Sequence, residues 1–386
     1  MKDINRISDT ERSYVNEVLD GEFATSSGSK MNTRLEEAFA TRYGSKYAIT
    51  FVNGTATMHT ILLAAGIGEG DEVIVPPLTM ASTTFAVLQV GATPVYADVD
   101  AKTYQIDPKS ISKKITEKTK AIITVALYGL SPEMSEIMEL ADKYNLFVLE
   151  DNAETMLSSY KGQLVGTIGH AASFSFQSSK HLTAGEGGIV ITDDEQLALA
   201  IRRISSLGYS GVSSGRGTIT RNDIQSPDYF RHVSEGFNFR MPELCAAVAL
   251  GQFERVDELV GRRIDVANLF MEVVKDVEWL EPHYTPAHSK NTYWTFVVKL
   301  VHKEIDWLTF RDKYQDFGGD GIYAPWKLTY QEPFYAGLTN KEPNPSCPVA
   351  EDLQKTLLQF KTNYWKWSEA EEQAQILKKT ISFFNS

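Results

Sequence analysis

The chain has 386 residues, 42% of them hydrophobic and 23% charged, the composition of an ordinary globular protein long enough for two domains sharing an interface. A formal net charge of -12 argues against a nucleic-acid or anionic-membrane surface. Two cysteines, Cys245 and Cys347, exclude a dense disulfide framework or a cysteine metal site, and with no apolar run of signal-peptide or membrane-span length the chain reads as cytoplasmic.

Residues 1 to about 30 read as an opening helix and a small-polar loop, Ala24-Thr-Ser-Ser-Gly-Ser29. Met31 to Tyr43 has helical apolar spacing through Leu35, Ala38 and Phe39. Tyr47 to Phe51 is a predicted strand, Asn53-Gly-Thr-Ala-Thr57 its turn, and Met58 to Ala65 a helix. Short apolar strands follow at Glu72 to Val75, Thr93 to Asp98, Ala121 to Ala126 and Leu146 to Leu149. Helices lie between them, among them Ser82 to Gln89 and Pro132 to Tyr144. This alternation predicts an α/β fold, a mostly parallel central sheet with helices on both faces. Ala172 to Phe176 and Gly188 to Thr192 add two strands that can run antiparallel to the rest.

Residues 208 to 236 read as a long loop, and a loop of that length in an enzyme is usually functional or mobile. Helical spacing resumes from Pro242 to about Val274 and bridges to a smaller C-terminal α/β domain. That domain contains a strand at Thr292 to Leu300, a helix at Trp307 to Tyr314 and a closing C-terminal helix. The expected division is an N-terminal segment over 1–30, a large domain over 31–245, and a linking helix with the small domain over 246–386.

Chemistry concentrates in Phe174-Ser-Phe-Gln-Ser-Ser-Lys-His-Leu-Thr-Ala-Gly-Glu-Gly-Gly188. Lys180 follows an apolar strand and precedes a small-residue turn that re-enters a strand, so rigid backbone can aim its amine into a cleft, as Schiff-base chemistry needs. Val148-Leu-Glu-Asp-Asn152 is a strand ending in two acids, and a carboxylate at a strand tip can hold a proton on a pyridine nitrogen. The Asn53 to Thr57 turn lies between strand and helix, where backbone N–H groups can cradle a phosphate. Each piece alone has an ordinary reading: a solvated lysine, an aspartate helix cap, a capped turn. Their joint occurrence in sheet order points to a pyridoxal phosphate (PLP) enzyme.

The arrangement resembles the sugar aminotransferases of the DegT/DnrJ/EryC1/StrS family, within the fold-type I PLP enzymes. The resemblance spans nearly the whole chain, from the Tyr14 to Gly28 segment to Cys347-Pro-Val-Ala-Glu351. It is carried by the Asn53 turn, Gly66-Ile-Gly-Glu-Gly-Asp-Glu-Val73, Tyr128-Gly129, Glu150-Asp151, the lysine segment and Gly236-Phe-Asn-Phe-Arg-Met-Pro242. It implies that Lys180 carries PLP and moves the proton between donor Cα and cofactor, and that Asp151 pairs with the pyridine nitrogen. It implies further that Glu154 lies beside the ring hydroxyl, and that Gly54, Thr55, Ala56 and Ser175 form the phosphate cradle. Asn238 matches an asparagine that reaches the phosphate from the other subunit of a homodimer.

Two positions depart from the family pattern. Met80 stands where an aromatic often stacks on the ring, and Ala126 where a histidine is common. The dehydratases of the fold carry histidine at the Schiff-base position. Lysine here favours transamination, and His181 is one place too far along to substitute. The expected donor is glutamate or glutamine. Phe176-Gln177 resembles the branch handling cyclitols, aminobenzoate precursors or unactivated sugar acids, and the expected acceptor is a keto- or aldehydo-sugar, sugar acid or cyclitol. A nucleotide-linked ketosugar is the alternative, followed by a sugar dehydratase and by a non-catalytic binding protein. Acceptor contacts are expected from Gln177, Tyr323, Trp326 and Lys327, with Arg216, Arg221 and Arg231 of the long loop as further anion candidates.

Overall fold

Seven strands form the main sheet: β1 (Tyr47–Phe51), β2 (Glu72–Val75), β3 (Thr93–Tyr96), β4 (Thr119–Val125), β5 (Phe147–Asp151), β8 (Ala171–Ser175) and β9 (Gly188–Thr192). Their order is β1-β9-β8-β5-β4-β2-β3. This computed structural model describes residues 1–21, 23, 30–215, 225–339 and 341–385. Only β9 runs against the other strands of this sheet, pairing antiparallel with β8 on one side and β1 on the other. The strands are near-continuous apolar runs, Glu-Val-Ile-Val in β2 and Gly-Ile-Val-Ile-Thr in β9, because helices cover both faces. The predicted α/β architecture is the observed one.

The parallel strands end on a common edge. Asp151 of β5 lies opposite Val125 of β4 and Ser173 of β8, and Ser175 opposite Gly188 of β9. An open α/β sheet binds ligands at this carboxyl edge, where the strands stop and their loops diverge.

A smaller sheet has the order β10-β12-β13, formed by Leu280–Pro282, Thr295–Leu300 and Leu357–Lys361. It packs through Phe296, Val298, Leu358 and Phe360 against the helices Val256–Val274, Trp307–Asp316 and Trp367–Phe384. A third sheet orders β11 (Ser289–Lys290), β6 (Ser159–Tyr160) and β7 (Gln163–Leu164), and so ties a small-domain segment to a hairpin of the large domain.

Several boundaries moved. The helical pattern over Pro242 to Val274 is two helices, Glu243–Phe253 and Val256–Val274, interrupted at Glu254 and Arg255. The first is apolar apart from Glu243 and Gln252, with Ala246, Ala247, Ala249 and Leu250 buried in the large-domain core beside Leu35 and Phe39. The expected division at 245/246 therefore runs through a helix that packs with the large domain. The Met58 helix begins four residues earlier, at Gly54, because Asn53 caps it. β13 follows a helix ending at Thr356 with no intervening turn residue, so periodicity carries no sign of the switch.

Candidate active site

β1 delivers the chain into Asn53, whose Oδ1 accepts the Ala56 N–H at 2.8 Å and starts the helix Gly54–Ala64. The amides of its first turn face the carboxyl edge of the sheet, beside Ser175 at the tip of β8. A Cβ on Gly54 would lie 2.9 Å from Ser175 Cβ, so only glycine lets helix and strand approach this closely. A Cβ on Gly188 would lie 2.8 Å from the Asn53 carbonyl carbon, and the start of β9 is bound to glycine for the same reason. The result is a cradle of backbone N–H groups and a hydroxyl at a positive helix end.

β5 alternates, and its two acids part company. Glu150 turns to the loop behind the sheet, where it accepts N–H bonds from Gly166 at 2.7 Å, Ile168 at 2.8 Å and Gly169 at 2.6 Å. Asp151 turns to the site and is 3% exposed. Its carboxylate accepts the Thr83 hydroxyl at 2.9 Å and the Ala153 N–H at 3.1 Å. Burial raises its pKa, opposed by those two hydrogen bonds and by the charge of Lys180. Among the described residues it forms no ion pair, so a buried carboxylate waits for a cationic N–H.

Lys180 leaves a turn closed by its own N–H on the Gln177 carbonyl at 3.0 Å. Its Nζ lies 3.4 Å from Glu154 Oε1 and 4.5 Å from the centroid of Trp294. Glu154 is 4% exposed, and Oε2 accepts the Tyr128 N–H at 3.1 Å. Tyr128 presents that amide from a left-handed conformation, φ 61° and ψ 13°. Burial raises the pKa of Glu154, and the neighbouring ammonium works against it.

Asp151, Glu154 and Lys180 line one cavity of about 600 Å3, with Asn53, Gly54, Thr55, Met80, Ser175, Gln177, Trp294 and Trp326 also in its wall. The donor set fits PLP: a phosphate-sized cradle, an unpaired buried carboxylate and a primary amine in one chamber. A scan for family models matches residues 5–379 to the DegT/DnrJ/EryC1/StrS aminotransferase family.

The chain belongs to that family.

This DegT/DnrJ/EryC1/StrS family member is thus a PLP-dependent aminotransferase of fold-type I. It is 38% identical over 343 residues to the GDP-perosamine synthase of Escherichia coli O157:H7, covering 89% of this chain and 87% of that one. The GDP-perosamine synthase of Caulobacter vibrioides is 37% identical over 297 residues, 76% of each chain. The solved aminotransferase from Psychrobacter cryohalolentis matches with a TM-score of 0.90 and 30% identity over 100% of both chains.

Within this family member, most of the expected residues share the cavity: Gly54, Thr55, Met80, Asp151, Glu154, Ser175, Gln177, Lys180 and Trp326. Ala56 lies outside the cavity wall, and its amide donates to Asn53 Oδ1 at 2.8 Å. Gln177 lines the cavity, while its amide accepts from Ser179 N at 2.8 Å and Oγ at 2.7 Å and donates to Ser178 Oγ at 2.8 Å. Tyr323 lines an adjacent cavity, and Lys327 and Arg231 are exposed outside both. Asn238 is also exposed and outside its own chain's cavity. Arg216 and Arg221 lie outside the described residues. His181 is buried away from the cavity with Nε2 on the Thr292 carbonyl at 2.9 Å, and burial drives its pKa far down. Thr83, Trp294 and the Tyr128 amide escaped the sequence reading. A hydroxyl or an indole far from the lysine in sequence carries no local signal of its partner.

Proposed function

We propose that the protein transfers an amino group from glutamate or glutamine to the carbonyl of a nucleotide-linked ketosugar. Lys180 Nζ in one chamber with the unpaired Asp151 carboxylate and the Gly54 cradle carries the transaminase part of this reading. The acceptor class is supported by the similarity to two GDP-perosamine synthases, which favours the nucleotide-linked alternative over the nucleotide-free acceptor that Gln177 suggested. Space supports it as well. A second cavity of about 390 Å3 shares Ser179, Trp294 and Trp326 with the first and adds Tyr323, Gln359 and Lys361, leaving room for a moiety beyond one sugar ring.

PLP, when bound, supplies an electron-withdrawing ring and a reversible carrier for the amino group. The Gly54 and Thr55 amides and the Ser175 hydroxyl would hold the phosphate at the positive helix end. Asp151 would keep a proton on the pyridine nitrogen, and Thr83 and Ala153 hold its carboxylate in orientation. Lys180 Nζ takes the proton from the donor's Cα and returns a proton when the acceptor is aminated. Glu154 and the Trp294 face keep that amine within reach of the reacting carbon between the two transfers. Asn238 of a second copy completes the phosphate site, so the working unit is a homodimer. Phe230, Val233 and Phe237, near Asn238 in the sequence, are exposed apolar side chains that a second copy would cover.

The test is a screen of holoenzyme with glutamate and glutamine against GDP-, dTDP- and UDP-linked ketosugars, free ketosugars and cyclitols, read by mass spectrometry. An amino sugar formed only from a nucleotide-linked acceptor is the expected result. Amination of a free ketosugar or cyclitol alone would overturn the acceptor class. Borohydride should fix the cofactor to the peptide holding Lys180, and a label on another lysine would end that assignment.

A further inference from the structure

Three successive carbonyls of the lysine turn are bound by two arginines. Arg6, in the segment before the first helix, donates through Nη2 to the Ser178 carbonyl. Arg263, in the helix Val256–Val274, donates through Nη2 to Ser179 O at 2.8 Å and Lys180 O at 2.9 Å. Its Nη1 donates to Trp294 O at 2.7 Å, and Trp294 Nε1 returns to Ser179 O at 3.0 Å. That same indole carries the Lys180 ammonium on its face.

Arg263 is 1% exposed and, among the described residues, makes no ion pair with a carboxylate. Burial pushes its guanidinium down to about 9, and the charge of Arg6 adds to the effect. A buried cation facing another cation is costly, and hydrogen bonds to the carbonyls and to the Thr362 hydroxyl offset it, together with the charge of Glu154. The N-terminal segment is itself tied down. Ile4 N donates to Trp365 O at 3.0 Å, Arg6 lies over the Trp365 ring at 5.6 Å, and Gln252 and Arg255 donate to the Arg6 carbonyl.

We propose that Arg6 and Arg263 form a clamp on the carbonyls of Ser178, Ser179 and Lys180 that positions the Lys180 amine for proton transfer. The N-terminal segment and the linking helix are then parts of the reaction apparatus, acting through the backbone of the lysine turn. This rests on the reading of Lys180 as the base. Lys180 must deliver its nitrogen to successive positions over a reacting carbon, so its Cα needs a fixed anchor while the side chain swings. A donor's Cα–H bond is broken efficiently only when the base reaches it in line, and a small misplacement is expensive in rate. Both arginines are positioning residues: neither lines the cavity that holds Lys180, and Arg263, which lines the adjacent cavity, meets the lysine turn through the Ser179 and Lys180 carbonyls.

The experiment uses Arg6→Gln, Arg6→Lys and Arg263→Lys. Amide hydrogen exchange of the cofactor-free proteins is followed in the peptide spanning Gln177 to Leu182, with β4 as internal control. Stopped-flow half-reactions of the holoenzymes use L-glutamate with and without deuterium at Cα. Arg6→Gln should exchange faster in that peptide alone. Its α-proton step should slow by about 10- to 100-fold with a larger isotope effect and unchanged glutamate affinity, and Arg6→Lys should recover part of the rate. Faster exchange with unchanged rate and isotope effect would reduce the clamp to a structural contact and overturn the proposal, as would no change in either. If Arg263→Lys fails to fold, the Arg6 pair decides alone. Borohydride fixation to Lys180 in the parent separates failure of the clamp from failure of the underlying assignment.

Discussion

Asp151 shows what a single side chain contributes before any ligand arrives. In the cofactor-free protein its carboxyl is held above the ordinary carboxylate range by burial. Between its unfolded and folded pKa values the folded state keeps a proton that the unfolded state has released. Stability from this group is therefore present at low pH and is lost as pH rises through that window. Asparagine has no such titration and can still accept from Thr83. Cofactor-free Asp151→Asn should gain on the parent by up to about 1.4 kcal/mol per pH unit between the unfolded and folded pKa values of Asp151, read as a difference in Tm that grows through that window and then levels off. With PLP the order should reverse, because the parent alone offers the pyridine nitrogen a charge. The half-reaction with glutamate should slow by roughly ten- to a thousand-fold in the variant, from the loss of a charge contact of about 1 to 3 pKa units. A pH-independent Tm difference together with parental single-turnover rates would remove Asp151 from this role.

The element that carries the cradle is the helix Gly54–Ala64 with its Asn53 cap. Its position depends on contact with β8 at Gly54, where a methyl group would stand 2.9 Å from Ser175 Cβ. Ser175 is itself a cradle hydroxyl, so relief of the clash moves either the helix end or that hydroxyl. Such overpacking costs about 1 to 3 kcal/mol. Gly54→Ala should weaken cofactor binding by roughly tenfold or more, measured by absorbance titration of the cofactor-free protein. Thermal stability without PLP should fall by less than that cost alone, since alanine favours the helix and offsets part of the clash. Equal PLP affinity in Gly54→Ala and parent would show that the cradle tolerates the shift.

At the scale of the molecule, the open question is which chain completes each site. Lys180 lines its own cavity, whereas Asn238 is exposed outside it. If Asn238 serves a neighbouring copy, a Lys180→Ala subunit mixed with an Asn238→Asp subunit gathers both defects in one site and leaves the other intact. Activity should return towards about half of the parental value per mixed dimer, while each variant alone stays inactive. Verified mixed dimers without recovered activity would contradict the shared site, and Asn238→Cys crosslinking to the second chain would show whether the geometry or inter-site coupling is at fault. PLP should also favour the dimer, since a ligand held by two subunits stabilises their association.

The sequence by itself determined whatever depends on neighbours along the chain. β2, β9 and the helix Ser82–Gln89 fell where apolar runs and their flanking residues placed them, because strand and helix periodicity are local. Lys180, Asp151, Ser175 and the Asn53-Gly54 turn were legible for the same reason: each is a strand end or a turn with characteristic residues. The tertiary structure alone decided which distant groups meet them. Thr83 reaches Asp151 across 68 positions, Arg263 reaches Lys180 across 83, and Arg6 reaches Ser178 across 172. A hydrogen bond needs its two atoms within about 3 Å, and only the path of the whole chain brings such separated groups that close. β13 went unseen on the same principle, because Leu357–Lys361 becomes a strand by pairing with β12 rather than by any preference stronger than that of the helix before it.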